Sequence, residues 1–299
     1  MLSWLDTSSM SRYLVRADPT LVSLTLVAVL ADRALMAARW MKLVEALDVE
    51  TSRARIVKIF FLSTFFGSFL PSGVGGEAVR AASFTKLTQK GTEAVASVVM
   101  DRFLGLLSML VTGLVSLVAF YHLFAHPTLL VAVLVGVCSL VAALALALSR
   151  SVHDRARSRF AGREGRLFHW IERGLEALGQ YRARLGVLLG VLLLSVMVQL
   201  LRVLQAYLLS EALGLETDAI YFLCFVPLIL IVTMLPISVG GLGTANAAYV
   251  AFFSPVGMSS EGAFVLSVLI LALGVFGNLP GGLIYAWEGF AAAAGPEEE

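Results

Sequence analysis

Seven ionisable side chains stand inside otherwise apolar stretches of this chain: Asp32 and Arg33, Glu77 and Arg80, Asp101 and Arg102, and Arg202. A charged group at bilayer depth costs at least about 2.5–3.5 kcal/mol, so each is a candidate for ligand or proton chemistry. Glu77 and Arg80 directly follow the pair Gly75-Gly76, and their i,i+3 spacing puts both on one face of the helix leaving it. Arg80 suits a phosphate, because its planar guanidinium matches phosphate oxygens. Glu77 would orient Arg80 or carry a proton. Arg202 follows seventeen uncharged residues, and no charge recurs until Glu211. That pattern fits a side chain that lines a cavity or snorkels to an interface. Arg33 is a further candidate for the same cavity. Asp101 and Arg102 lie near one end of their span and read either as part of the site or as an ion-paired anchor. Asn246 and Asn278 are polar groups in long uncharged regions. Helix-to-helix hydrogen bonding is the favoured reading for both, with ligand binding as the alternative.

Other chemistry is not indicated. The four histidines, His122, His126, His153 and His169, lack metal-ligand spacing. Cys138 and Cys224 lie inside apolar runs and read as packing residues. No Ser/His/Asp cluster, metal set or paired catalytic carboxylates occurs, so an enzyme is not expected. Nor is any metal, cofactor or nucleic-acid partner. No GxxxxGK[ST] loop is present, which leaves ATP without a binding motif.

The elements that must hold these side chains are membrane helices. The 299 residues are 59% hydrophobic and 14% charged, with a mean hydropathy of +0.87, against about 25% charged in soluble domains. Runs rich in Leu, Val and Ala without period-two alternation favour helices over a barrel, so the fold class is an all-α polytopic membrane protein. The start of the chain lacks the pattern of a cleaved signal peptide. The clearest spans are about 20–41, 97–120, 128–149, 185–210 and 263–287, and two apolar regions, about 56–85 and 219–258, are interrupted by Pro and Gly. Lys and Arg cluster before the first span, at 39–58, at 80–90 and at 150–184, whereas 121–127, 211–218 and 255–261 have none. By the positive-inside rule the basic loop 150–184 and the C-terminus are cytoplasmic, in a cell inner membrane, with segment 1–18 left open between the outside and the membrane surface.

An internal repeat organises these spans. Leu70-Pro71-Ser72-Gly73-Val74-Gly75-Gly76 recurs as Leu235-Pro236-Ile237-Ser238-Val239-Gly240-Gly241. Upstream, Ala46-Leu47-Asp48-Val49-Glu50-Thr51 recurs as Ala212-Leu213-Gly214-Leu215-Glu216-Thr217, in nearly the same register. Two matches in register argue for duplication, and the charge-based topology makes the copies inverted. The expectation is a single transmembrane domain over 1–299: repeat 1 at about 20–120, a linking span at 128–149, the basic loop 150–184, and repeat 2 at about 185–287. Each repeat would carry a broken helical hairpin, re-entrant or as two tilted spans. Inverted repeats with broken helices mark alternating-access transporters, whose site lies near the midplane where the breaks meet. Pro71, Gly75, Gly76, Pro236, Gly240, Gly241 and Asn246 are the elements of those breaks. Half-helix N-termini there suit a phosphate or carboxylate.

At these residues the sequence resembles the flippase-like family of the lysylphosphatidylglycerol synthase transmembrane region. The resemblance rests on Arg39-Trp40 at the end of an early span, on Gly76-Glu77 with Arg80 three residues later, on Asp101-Arg102, and on Pro236 with Gly240-Gly241-Leu242-Gly243. It covers about residues 20–290. It implies movement of a lipid with an anionic, aminoacylated or polyprenyl-phosphate headgroup across the cytoplasmic membrane. Two departures limit the carry-over. Thr244-Ala245-Asn246 stands where the family usually has an acidic residue, and Asp101 stands where Glu is commoner. No aminoacyltransferase domain follows Trp287, so synthase activity is not expected. Read together, the sequence points to a flippase whose headgroup site uses Arg80, Glu77, Arg202, Arg33, Asp101 and Arg102. Proton or ion coupling and homo-oligomerisation stay open. The alternatives are a secondary transporter of a small soluble anion and a non-catalytic membrane partner of a lipid-synthesis complex.

Overall fold

The computed structural model describes residues 13, 15–70, 75–121, 127–152, 154–155, 173–174, 176–234 and 242–293. In chain order its helices are α1 (Pro19–Glu45), α2 (Arg53–Gly67), α3 (Gly75–Thr88), α4 (Gly91–Ala119), α5 (Pro127–Leu148), α6 (Leu185–Ala212), α7 (Ala219–Thr233), α8 (Thr244–Phe253) and α9 (Ser260–Ala293). No strand occurs among the described residues. Among the described residues five helical segments are long and apolar enough to cross a membrane: α1, α4, α5, the continuous stretch Glu176–Ala212 that contains α6, and α9. These are the five spans expected from sequence.

The remaining helices are shorter. α2 and α7 have 15 residues each, about 22 Å of helix at 1.5 Å per residue, against a hydrocarbon core of about 30 Å. Between α2 and α3 the chain turns through 68–70, and α3 begins at Gly75. Pro71, Pro236, Gly240 and Gly241, four of the expected break residues, lie outside the described residues. Gly76 is described, and it explains how tightly the hairpin closes. A Cβ on Gly76 would stand 2.8 Å from the Ser63 carbonyl, and one on Gly67 would stand 2.8 Å from Gly76 Cα. The two helices therefore meet backbone to backbone.

Helix bounds and turns recur in register. α1 and α2 begin at Pro19 and Arg53, and α6 and α7 begin at Leu185 and Ala219, with equal spacing in the two pairs. The turn before α2 carries Asp48 at φ 50°, and the turn before α7 carries Gly214 at φ 67°, each at the same remove from the helix that follows. Asp is among the few non-glycine residues that tolerate this left-handed region. Ala46, Leu47 and Val49 are buried around the first turn, as are Ala212, Leu213 and Leu215 around the second.

The chain divides into two compact units. One comprises 1–34, 58–79 and 199–299, the other 35–57 and 80–198. In the first, α9 packs on α8 and α2. Gly281 and Gly282 let it approach so closely that a Cβ on Gly281 would overlap the Phe61 carbonyl and one on Gly282 would stand 2.6 Å from the Phe65 ring. Small residues play this part in membrane helix packing, where dispersion must replace the hydrophobic effect. In the second unit α4 packs on α5. Only Val133 is buried along α5, whose other residues are half-buried or exposed.

Candidate functional site

In the second unit, α4 supplies a stripe of Ser97, Asp101 and Gly105 at i,i+4 spacing, all facing the same neighbours. Asp101 is 6% exposed and divides its two oxygens between two arginines. Arg39 Nε of α1 donates to Oδ1 at 2.7 Å, and Arg80 Nη1 of α3 donates to Oδ2 at 3.2 Å. Both arginines are 5% exposed. Arg39 also donates to Ser195 Oγ at 3.3 Å, and its guanidinium lies over Gly105, where an added Cβ would sit 3.5 Å from Nη1. Trp40, fully buried, donates from Nε1 to Ser97 Oγ at 3.2 Å. It also carries Arg80 over its ring at 5.3 Å and meets Phe84 edge-on at 5.6 Å. Arg80 is thus held between a carboxylate and an aromatic face, a setting that planar guanidinium chemistry favours.

The first unit holds a second cluster of the same composition. Asp32, 1% exposed, pairs through Oδ2 with Arg33 Nη1 at 2.6 Å and through Oδ1 with Arg202 Nε at 3.1 Å. Arg33 Nη2 extends to the Gly274 carbonyl of α9 at 3.4 Å. Nearby, Gln205 of α6 donates to the Ala28 carbonyl of α1 at 3.0 Å. One carboxylate between two guanidiniums satisfies its own charge and keeps both cations at depth, where an unpaired ion would be costly.

The structure therefore joins Arg80 with Asp101, and Arg33 with Arg202, each pair within its own unit. Glu77 stands in the first turn of α3, where a carboxylate complements the helix dipole. Glu77 and Arg102 are half-buried. Two contributors had no place in the site read from sequence. Arg39 was counted with the basic residues at the end of its span, and Asp32 stood out only as a charge in an apolar run. The signal for Arg39 was its adjacency to Trp40 within a helix that continues to Glu45.

The asparagines part company. Asn246 is fully used: Oδ1 accepts the Gly243 N–H at 2.9 Å at the start of α8, and Nδ2 donates to Ser267 Oγ at 2.6 Å. Ser267 passes its own proton to the Phe264 carbonyl. Asn278 donates from Nδ2 to Ser68 Oγ at 2.8 Å. Among the described residues no group of three or more His, Cys, Asp and Glu could hold a metal ion.

Long apolar helices joined by shorter ones, with buried ion clusters among them, define a multi-pass helical membrane protein. The chain belongs to the family described as the lysylphosphatidylglycerol synthase TM region, which matches residues 1–281. It is also 26% identical over 279 residues to a UPF0104 membrane protein of Methanothermobacter thermautotrophicus, covering 85% of this chain and 82% of that one. No solved structure matches.

Proposed function

We propose that the protein is a lipid translocator, a flippase that moves an anionic, aminoacylated or polyprenyl-phosphate-type lipid across the cytoplasmic membrane by alternating access. The observation that carries this reading is the buried cluster of Arg80, Asp101 and Arg39, in which Arg80 stands on α3, the helix that begins at Gly75-Gly76. Arg39 holds Asp101 at the shorter distance, so Arg80 is the partner more easily released to a phosphate. Trp40 keeps its guanidinium in place during the exchange. The paired arginines at Asp32 would hold the same phosphate at another stage of the passage, with acyl chains left in lipid. The matched register of helix starts and left-handed turns in the two halves supports an inverted duplication with a broken hairpin in each half, the architecture that alternating access uses.

In this reading the basic loop 150–184 and the C-terminus are cytoplasmic, and the membrane is the inner one. The protein is not an enzyme and needs no cofactor. Its partner is the lipid itself, and Glu77 or Asp101 would carry any coupled proton.

The test is movement of headgroup-labelled lipids across proteoliposomes containing the native protein, Arg80→Ala, or no protein. The native protein should move an anionic or polyprenyl-phosphate lipid. Loss of one charge-assisted contact to phosphate should slow Arg80→Ala by about tenfold to a hundredfold. If a broad lipid panel moves no faster than in empty vesicles while a soluble anion enters, the protein is an anion transporter instead. If neither moves, a non-catalytic role in a lipid-synthesis complex takes its place.

A further inference from the structure

Within the first unit, α9 carries Gly274, Asn278 and Gly282 at i,i+4 spacing, flanked by Gly277 and Gly281. Arg33 lies along this face. It donates to the Gly274 carbonyl, and an added Cβ on Gly277 would stand 3.7 Å from Arg33 Nε. Asn278 follows one turn further on, about 6 Å along the helix axis.

The orientation of the Asn278 amide is fixed by its neighbour. Ser68 Oγ spends its proton on the Thr64 carbonyl at 3.1 Å, so it can offer Asn278 only a lone pair, and Nδ2 must face it. Oδ1 is then turned the other way. It is buried and has no hydrogen-bond partner among the described residues. Buried amide oxygens are ordinarily paired, so such an acceptor calls for a specific explanation. Asn246, whose amide is satisfied at both ends, shows the structural use of the same residue type in the same unit. Asn278 instead sets an open acceptor one helical turn from a cluster of two guanidiniums.

We infer that Asn278 is a specificity-determining residue: its Oδ1 accepts a hydrogen bond from a hydroxyl or ammonium group of a headgroup whose phosphodiester is held by Arg33 and Arg202. The inference deepens the translocator reading and rests on it for the lipid nature of the ligand. Arginine supplies attraction for the phosphate and is indifferent to what lies beyond it. Asn278 adds discrimination, because a headgroup without a donor leaves the acceptor desolvated and unpaired.

The experiment measures binding, so that it stands apart from movement. The purified full-length protein is titrated with short-chain phosphatidylglycerol, phosphatidylethanolamine and phosphatidylmethanol, and its thermal unfolding is followed. The third lipid has the same phosphodiester but no donor. The native protein should bind the first two about threefold to tenfold more tightly than phosphatidylmethanol, the worth of one hydrogen bond. Asn278→Ala should abolish that preference and leave phosphatidylmethanol affinity as it was. Ser68→Ala, which frees the amide to turn, should weaken the preference and serves as the test if Asn278→Ala does not fold. Equal binding of all three lipids, binding of none, or a uniform loss in both variants overturns the inference. Selective binding without movement in vesicles would overturn the translocator reading alone, and movement without selectivity would overturn the role of Asn278 alone.

Discussion

Arg80 reaches Asp101 from the helix that follows the first break, and in the same register Asn246 reaches Ser267 from the helix that follows the second. In both cases the partners are 21 residues apart in the chain and the contact ties a short helix to the long one after it. The first contact is an ion pair extended by Arg39, and the second is a neutral amide–hydroxyl bond closed by the Phe264 carbonyl. A joint is thus made at both places, and a neutral bond of 2.6 Å is enough to make the second. The cations of the first joint cost desolvation free energy that a structural role would not require. In the translocator reading proposed above, they mark the joint that would meet the headgroup.

The sharpest way to break the comparison is Asp101→Asn. It removes the negative charge between two buried guanidiniums and should destabilise the protein by about 3–5 kcal/mol, read as loss of folded protein in a detergent unfolding titration. The matching change Ser267→Ala should cost only about 1–3 kcal/mol, because it leaves one neutral amide donor unpaired. Asn246→Ala should cost about 0.5–2 kcal/mol through the loss of the acceptor at the start of α8, and the protein that remains folded should translocate at the native rate in vesicles. If Asn246→Ala instead abolishes movement while stability holds, the second joint is also part of the lipid path. The smallest effect is expected at the exposed pair of Arg53 and Glu45, whose Nε–Oε1 distance is 2.8 Å. Arg53→Ala there should change stability by about 0–1 kcal/mol, less at high salt, and it calibrates what an ion pair contributes outside the apolar core.

The spans were legible because hydropathy is a one-dimensional property: a run such as α5 announces itself by length and lack of charge. The interruption between α2 and α3 was legible for the same reason, since Pro71 and the glycines break an apolar run. Arg80 and Asp101 were legible as costly charges. Arg39, the second arginine on Asp101, was named only in the Arg39-Trp40 motif and not as part of the site, because an arginine at the end of a span looks like a loop charge until α1 is seen to continue past it to Glu45. The two asparagines could not be told apart in sequence. What separates them is whether the amide oxygen meets a donor in space: Asn246 Oδ1 accepts the Gly243 N–H, and Asn278 Oδ1 meets none among the described residues. The glycine pair Gly281-Gly282 carried a local signal after Pro280, but its meaning depends on α2, far earlier in the chain.

That last contact has a consequence for biosynthesis. α5, with a single buried residue and no charge, can settle in hydrocarbon as soon as it leaves the ribosome. α2, with about 22 Å of helix against a hydrocarbon core of about 30 Å, needs protein cover for the backbone groups at its ends. Its Phe61 and Phe65 face is covered by α9, which is made long after it. α2 therefore gains that cover only once α9 has been made, which places the Gly281-Gly282 contact later in synthesis than the insertion of α5.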